Sequence, residues 1–237
     1  MMSHFTLSLG AHPFEYISKF GKFIMTNILQ DSVLPLKLGH PHYEADHLFQ
    51  WMMSKNASKR PKIIEVLDHP FFWSLRRKTK FLVDLARCFD PKKEGDLRAI
   101  SKEVDKFYKK SLVALAVEEP SNWLQRMGSK LEPLLAKRKF SKGTKNYDGD
   151  SVMMLVELIR DKFMHYRDVV DELSTSDEYF GEDGVFSDDK FINFFLTAFP
   201  ELIIILFCSL GEKRKDKYVN KLRNKYYAQI IAVPLPF

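Results

Sequence analysis

The chain has 237 residues, 45% of them hydrophobic and 14% aromatic, which is enough for a real core and excludes general disorder. Its 37 basic and 31 acidic side chains leave a formal charge of +6, which permits contact with a polyanion without establishing it. Only two cysteines, Cys88 and Cys208, are present and they form no CxxC pair, so no disulfide framework is expected and a reducing compartment fits.

The first five residues lack the charged-then-apolar pattern of a signal peptide. Apolar residues at helical spacing predict helices over Tyr43 to Met53, Pro61 to Leu67, Lys80 to Cys88, Leu97 to Val117, Trp123 to Lys139, Ser151 to His165, Asp188 to Ala198 and Glu201 to Leu210. Pro61 is expected at a first helical position, and His69-Pro70 should end a helix, because the residue before proline disfavours the α region. Residues 90–96 and 141–150 read as polar loops, with Asp150 or Ser151 capping the next helix. The acidic stretch from Ser174 to Asp189 reads as a mobile surface loop. Leu202 to Leu210 is about half of the ~20 residues that cross a bilayer, so it is expected as a buried helix, and no membrane segment is predicted. After Gly211 comes a basic segment, read as a solvated helix face, and the tract Ile230 to Val233 is the one with β character. The fold class is therefore all-α. His40, His42 and His47 match no standard zinc spacing and are read as loop or core histidines.

Residues 9–14, 27–29 and 45–53, then Ser58-Lys59-Arg60-Pro61 and Glu65-Val66-Leu67-Asp68-His69-Pro70-Phe71-Phe72, resemble the last third of a protein-kinase C-lobe. Arg60 matches the arginine that kinases pair with a glutamate lying upstream of anything present here. The chain has no Gly-rich loop, VAIK lysine, HRD loop or DFG, so kinase activity from it alone is excluded and no ATP or other cofactor site is expected. A truncated lobe lacks partners for Phe14, Trp51 and Phe71, which predicts a remnant over residues 1–73 that is less ordered than the rest.

The junction His69-Pro70-Phe71-Phe72-Trp73, with Trp123, Tyr147, the block Val152 to Tyr166, Phe194-Phe195 and Phe199-Pro200-Glu201-Leu202, resembles a small family. It is similar to the kinase-extension nuclease domain of the unfolded-protein-response kinase–endoribonuclease and of ribonuclease L. The resemblance implies a helical nuclease domain over residues 74–212, followed by a basic tail over 213–237. Against a family sequence like DLLRxxRNKxxHY, this chain reads from Met154 to Tyr166. Arg160 and Lys162 match the family's arginine and lysine, His165 its catalytic histidine, and Tyr147 its catalytic tyrosine. Asp161 stands where the family has a substrate-contacting asparagine, Met154 replaces an aspartate, and Met164 replaces a histidine found in many members.

The implied activity is metal-independent RNA cleavage to a 2′,3′-cyclic phosphate by a dimer, in unfolded-protein-response or antiviral RNA decay. RNA is the implied substrate, and the partner is a second copy or a full-length relative. The implied location is the cytoplasm, or the cytosolic side of the endoplasmic reticulum for a longer anchored parent. Such chemistry needs a proton acceptor for the 2′-hydroxyl, a donor for the 5′-oxygen and a clamp for the phosphorane. His165, with a reference pKa of ~6.5, suits the acid. Tyr147 would serve as base or as hydrogen-bond donor, with Arg160 and Lys162 holding the phosphate. The carboxylate of Asp161 would repel that phosphate and draw charge from Arg160 or Lys162. The residues alone also fit an ordinary amphipathic helix with Val152, Leu155, Leu158, Ile159 and Phe163 on its core face. The alternative to an active nuclease is a module that kept the fold for dimerisation or RNA binding without turnover.

Overall fold

The computed structural model describes residues 17–18, 21–22, 42–89, 97–115, 117, 122–128, 137–140, 143–165, 181–182, 185–211 and 217–227. Among them are nine helices: α1 (Tyr43–Met52), α2 (Ile63–Leu67), α3 (Leu75–Cys88), α4 (Leu97–Ala114), α5 (Trp123–Arg126), α6 (Val152–Met164), α7 (Asp188–Ala198), α8 (Leu202–Leu210) and α9 (Lys217–Tyr226). Three two-stranded antiparallel ribbons accompany them: β1 (Ile17–Ser18) with β2 (Gly21–Lys22), β3 (Lys137–Phe140) with β4 (Gly143–Asn146), and β5 (Gly181–Glu182) with β6 (Val185–Phe186). The fold is all-α, as the periodicity predicted.

α3 is the hub of the packing. It lies against α6, α7 and α9, while α8 is enclosed by α4, α1 and the 3₁₀ turn Pro70–Phe72. Every residue of α8 is buried, so a nine-residue helix can be apolar all round. No single described helix is long and apolar enough to cross a membrane.

Several boundaries differ from the sequence reading, each for a local reason. α3 starts five residues earlier than predicted, because the Ser74 hydroxyl accepts from Arg77 N and starts a first turn in which Leu75 is followed by Arg76-Arg77-Lys78, too polar a run to show an apolar period. α2 starts at Ile63 rather than Pro61, with Glu65 Oε2 accepting from Lys62 N at 2.7 Å. α4 ends at Ala114, short of Val117. The predicted helix from Trp123 to Lys139 stops at Arg126. Gly128, at φ +80°, ends it in the left-handed conformation that glycine adopts without a Cβ penalty. Residues 137–140 and 143–146, partly read as helix and partly as loop, form the β3–β4 ribbon, in register Lys137↔Asn146 to Phe140↔Gly143. Within the predicted acidic loop, residues 181–182 and 185–186 form the β5–β6 ribbon and Ser187 caps α7. The rest of that loop lies outside the described residues, as do Phe14, His40 and Ile230 to Val233.

Residues 42–73 are seated on the rest of the molecule. Trp51, expected to lack a partner, is 4% exposed, shares the core with α8 and donates its indole N–H to Lys59 O. Phe71 is half-exposed. Arg60 Nε donates to Ser54 O at 2.9 Å. The basic segment after Gly211 is likewise more than a solvated face. α9 buries Val219, Leu222, Arg223 and Tyr226 against α3. The Asp84 carboxylate of α3 accepts from both Tyr226 Oη and Lys225 Nζ. Burial works to raise the Asp84 pKa, but these two partners prevail and lower it.

A candidate nuclease site on the last turn of α6

α6 is fixed at its N-terminus from three sides. The Ser151 hydroxyl accepts from Met154 N and donates to the Asp105 carboxylate of α4 at 2.9 Å. Asp105 Oδ1 also accepts from Met153 N at 3.1 Å. One carboxylate from α4 thus satisfies donors that a helix start leaves open. Burial raises the Asp105 pKa, opposed by these same hydrogen bonds. The Trp123 indole N–H reaches both Ser151 O (2.8 Å) and Asp148 O (3.1 Å), tying the loop before α6 to α5. Gly149 lets that loop close. A Cβ there would stand 2.0 Å from Oδ1 of Asn122, the side chain that caps α5.

The second support is a buried ion pair. Arg126 of α5 binds Glu201 through Nη1 (2.7 Å) and Nη2 (3.1 Å), and Nη2 also donates to Ala198 O. The Tyr108 hydroxyl donates to the same Glu201 oxygen at 2.6 Å. The Arg126 guanidinium lies 4.5 Å from the Phe199 ring centre. Burial, then the Glu201 charge, pushes the Tyr108 phenol well above its ordinary pKa.

On this frame β4 ends at Asn146 and delivers Tyr147 into the core, 4% exposed. Its hydroxyl folds back onto α6 and donates to Asp161 Oδ2 at 2.9 Å. The other Asp161 oxygen takes Arg160, with Nε at 2.8 Å and Nη2 at 2.5 Å. Arg160 Nη2 also reaches Glu157 Oε1 at 3.3 Å, one turn back. His165 follows one turn after Asp161, its backbone N–H donating to Asp161 O, and its ring is exposed at the C-terminal cap of the helix. Lys162 is buried and Met164 is half-exposed, its sulfur 3.7 Å from Arg87 Nη2. Phe163 packs on Phe191 of α7. Tyr166 lies outside the described residues.

Tyr147, Arg160 and Asp161 thus meet, with His165 a turn away. Asp161 faces inward onto Tyr147 and Arg160 as well as standing at the substrate position that the resemblance implies for it. Met154 is partly buried against the core. The sequence reading missed Asp105, Glu157 and the Arg126–Glu201–Tyr108 triad. Asp105 was signalled only by its place beside the buried stripe Val104–Tyr108. The others needed contacts between distant segments. Among the described residues no group of three or more His, Cys, Asp or Glu side chains is arranged to hold a metal ion.

The chain is 28% identical over 216 residues to the probable serine/threonine-protein kinase ireA of Dictyostelium discoideum, covering 90% of this chain and 19% of that protein. It is 28% identical over 215 residues to the serine/threonine-protein kinase/endoribonuclease IRE1 of Oryza sativa subsp. japonica, covering 90% and 21%. It is 26% identical over 204 residues to the sensor for unfolded proteins in the ER ire1 of Schizosaccharomyces pombe, covering 85% and 17%. The chain therefore spans about a fifth of the length of these relatives. The family described as Ribonuclease 2-5A matches residues 78–226, from the second residue after Arg76 on α3 to the last residue of α9. That span exceeds half of the chain and contains Tyr147, Asp161 and His165, so the chain belongs to the Ribonuclease 2-5A family, the kinase-extension nuclease domains.

Proposed function

We propose that this chain is a metal-independent endoribonuclease, working as a dimer in RNA decay of the unfolded-protein-response or antiviral kind, in the cytoplasm or, within a longer anchored parent, on the cytosolic side of the endoplasmic reticulum membrane. The observation that carries the reading is the Tyr147 hydroxyl brought onto the last turn of α6, one turn before an exposed His165. The 2′-oxygen attacks the adjacent phosphorus and its proton passes to water in the open site. The P–O5′ bond breaks, and His165 gives a proton to the leaving 5′-oxygen. The products are a 2′,3′-cyclic phosphate and a free 5′-hydroxyl. Tyr147 acts as a donor in the structure, which favours its role as a hydrogen-bond donor to the phosphate over that of base. The Arg160 guanidinium supplies the planar fork, and Lys162 adds positive field.

The test is cleavage of a labelled RNA stem-loop in EDTA by the wild type and by His165→Ala, with product ends read by mass spectrometry. Cleavage by the wild type alone, leaving cyclic phosphate ends, supports the reading; cleavage that EDTA abolishes contradicts it. The hold of Asp161 on Arg160 favours a second reading, in which the fold binds RNA or a second copy without turnover. Equal inactivity of both proteins with intact RNA binding would select that one.

A further inference from the structure

A phosphodiester presents two non-bridging oxygens sharing one negative charge, and a carboxylate presents nearly the same pair. In this chain the two groups assigned to phosphate, the Tyr147 hydroxyl and the Arg160 guanidinium, already hold such a pair. Tyr147 gives its proton to Asp161 Oδ2, and Arg160 gives Nε and Nη2 to Oδ1. Adjacent residues on a helix point roughly 100° apart, so the pairing of Arg160 with Asp161 requires the long arginine to curl round to its neighbour. It then meets both a carboxylate beside it and, through Nη2, Glu157 one turn back. The Asp161 side chain is about one-quarter exposed, so it stands at the mouth of the arrangement rather than behind it. Arg160 and Glu157 are more covered, at 15% and 9%.

We propose that Tyr147 and Arg160 form an oxyanion cradle whose resident occupant is the Asp161 carboxylate, and that the site opens by exchanging this internal anion for an RNA phosphate. Glu157 keeps the guanidinium tethered during the exchange, so the cradle retains its shape when Asp161 swings outward. The exchange is close to neutral in hydrogen bonds, since two donors leave one anion for another. The charge of Asp161 remains near the incoming phosphate and repels it. The site is thereby self-inhibited at low RNA concentration. It becomes competent only where a multivalent backbone raises the local phosphate concentration. This inference rests on the nuclease reading only for the identity of the incoming anion; the cradle itself is defined by the hydrogen bonds.

The experiment measures binding, not cleavage, so that it stands apart from the fate of the nuclease reading. Two probes are titrated: inorganic phosphate, and a stem-loop whose loop riboses are 2′-deoxy and cannot be cut. Asp161→Asn should bind both more tightly, by about tenfold or more. Adding Tyr147→Phe to Asp161→Asn should remove most of that gain, since one of the two donors is gone. Asp161→Ser serves as a second neutral variant with the same expectation. In the wild type, saturating phosphate should change the resonance of the Tyr147 hydroxyl proton as it leaves Asp161. Unchanged affinity in both folded neutral variants would overturn the proposal, as would a Tyr147 proton that stays unperturbed at phosphate saturation. Tight binding to the neutral variants with no cleavage by any form would retain the cradle and reject the nuclease reading.

Discussion

His47 Nδ1 and His69 Nε2 stand 3.0 Å apart in the core, and the other nitrogens of the two rings dictate which proton lies between them. Phe71 N donates to His69 Nδ1, so His69 carries its proton on Nε2 and gives it to His47. His47 then carries its proton on Nε2, 3.3 Å from Cys208 Sγ of α8. A further proton on His69 would have no acceptor among these partners. The chain joins α1 and the Pro70–Phe72 turn to α8.

Acid should therefore loosen this junction. Burial, then the facing His47 and Lys78, holds His69 well below the ordinary histidine value of 6.5. Lys78, on α3, is itself paired with Glu44 of α1 at 2.7 Å. The unfolded chain binds a proton near pH 6.5 that the folded chain refuses, so stability is fully present above that pH and falls as pH drops below it. Urea midpoints at pH 7.5 and 5.5 are expected to fall with pH. His69→Asn should flatten the difference, whereas equal midpoints in the wild type would contradict the assignment.

The Arg126–Glu201 pair predicts a large loss from a small change. Both side chains are almost fully buried, at 3% and 0% exposure. Glu201→Gln leaves the guanidinium charged and uncompensated, which should cost about 3–5 kcal/mol. Chemical denaturation reads this directly, and a loss below about 1 kcal/mol would mean that water or another carboxylate takes over.

Gly149→Ala tests the closure of the loop that carries Tyr147. The added methyl must displace Asn122 Oδ1, and the α5 cap goes with it. A cost of about 1–2 kcal/mol is expected. Because the same loop is held by Trp123, RNA cleavage should fall by more than the folded fraction does. Parallel loss of activity and folded protein would remove Gly149 from any role in placing Tyr147.

Arg160→Ala should slow single-turnover RNA cleavage by about 10²-fold or more while changing overall RNA affinity much less, since one phosphate clamp among many backbone contacts is lost. Arg160→Lys should recover only part of the rate, because an ammonium cannot present the planar fork. A lysine variant as fast as the wild type would show that charge alone suffices.

Much of the fold was legible. Helical spacing of apolar residues placed α1, α6, α7 and α8 nearly to the residue, because each buries a stripe or a whole surface. The failures lie where no apolar period exists. The first turn of α3 has one apolar residue, Leu75, ahead of Arg76-Arg77-Lys78, and the early end of α5 depends on one glycine at φ +80°. The seating of Trp51 depends on α8, about 150 positions further along the chain, and α9 hides its buried face behind a basic one.

For the site, the sequence by itself determined which chemical groups are available: a histidine at a helix end, an arginine and a lysine one turn before it, a tyrosine on the preceding segment, and a carboxylate where the family has an amide. Only the tertiary structure decided what those groups do to one another. Side-chain direction at a helix terminus follows from the nearest partner rather than from position in the sequence. Arg160 has two carboxylates within reach, and Tyr147 arrives from outside the helix on a loop fixed by Trp123 and Asn122. Tyr147, Asp161, Arg160 and Glu157, four side chains from the segment read as a row of separate functions, are therefore joined by hydrogen bonds, because oppositely charged groups in a partly buried place satisfy each other before they meet a ligand.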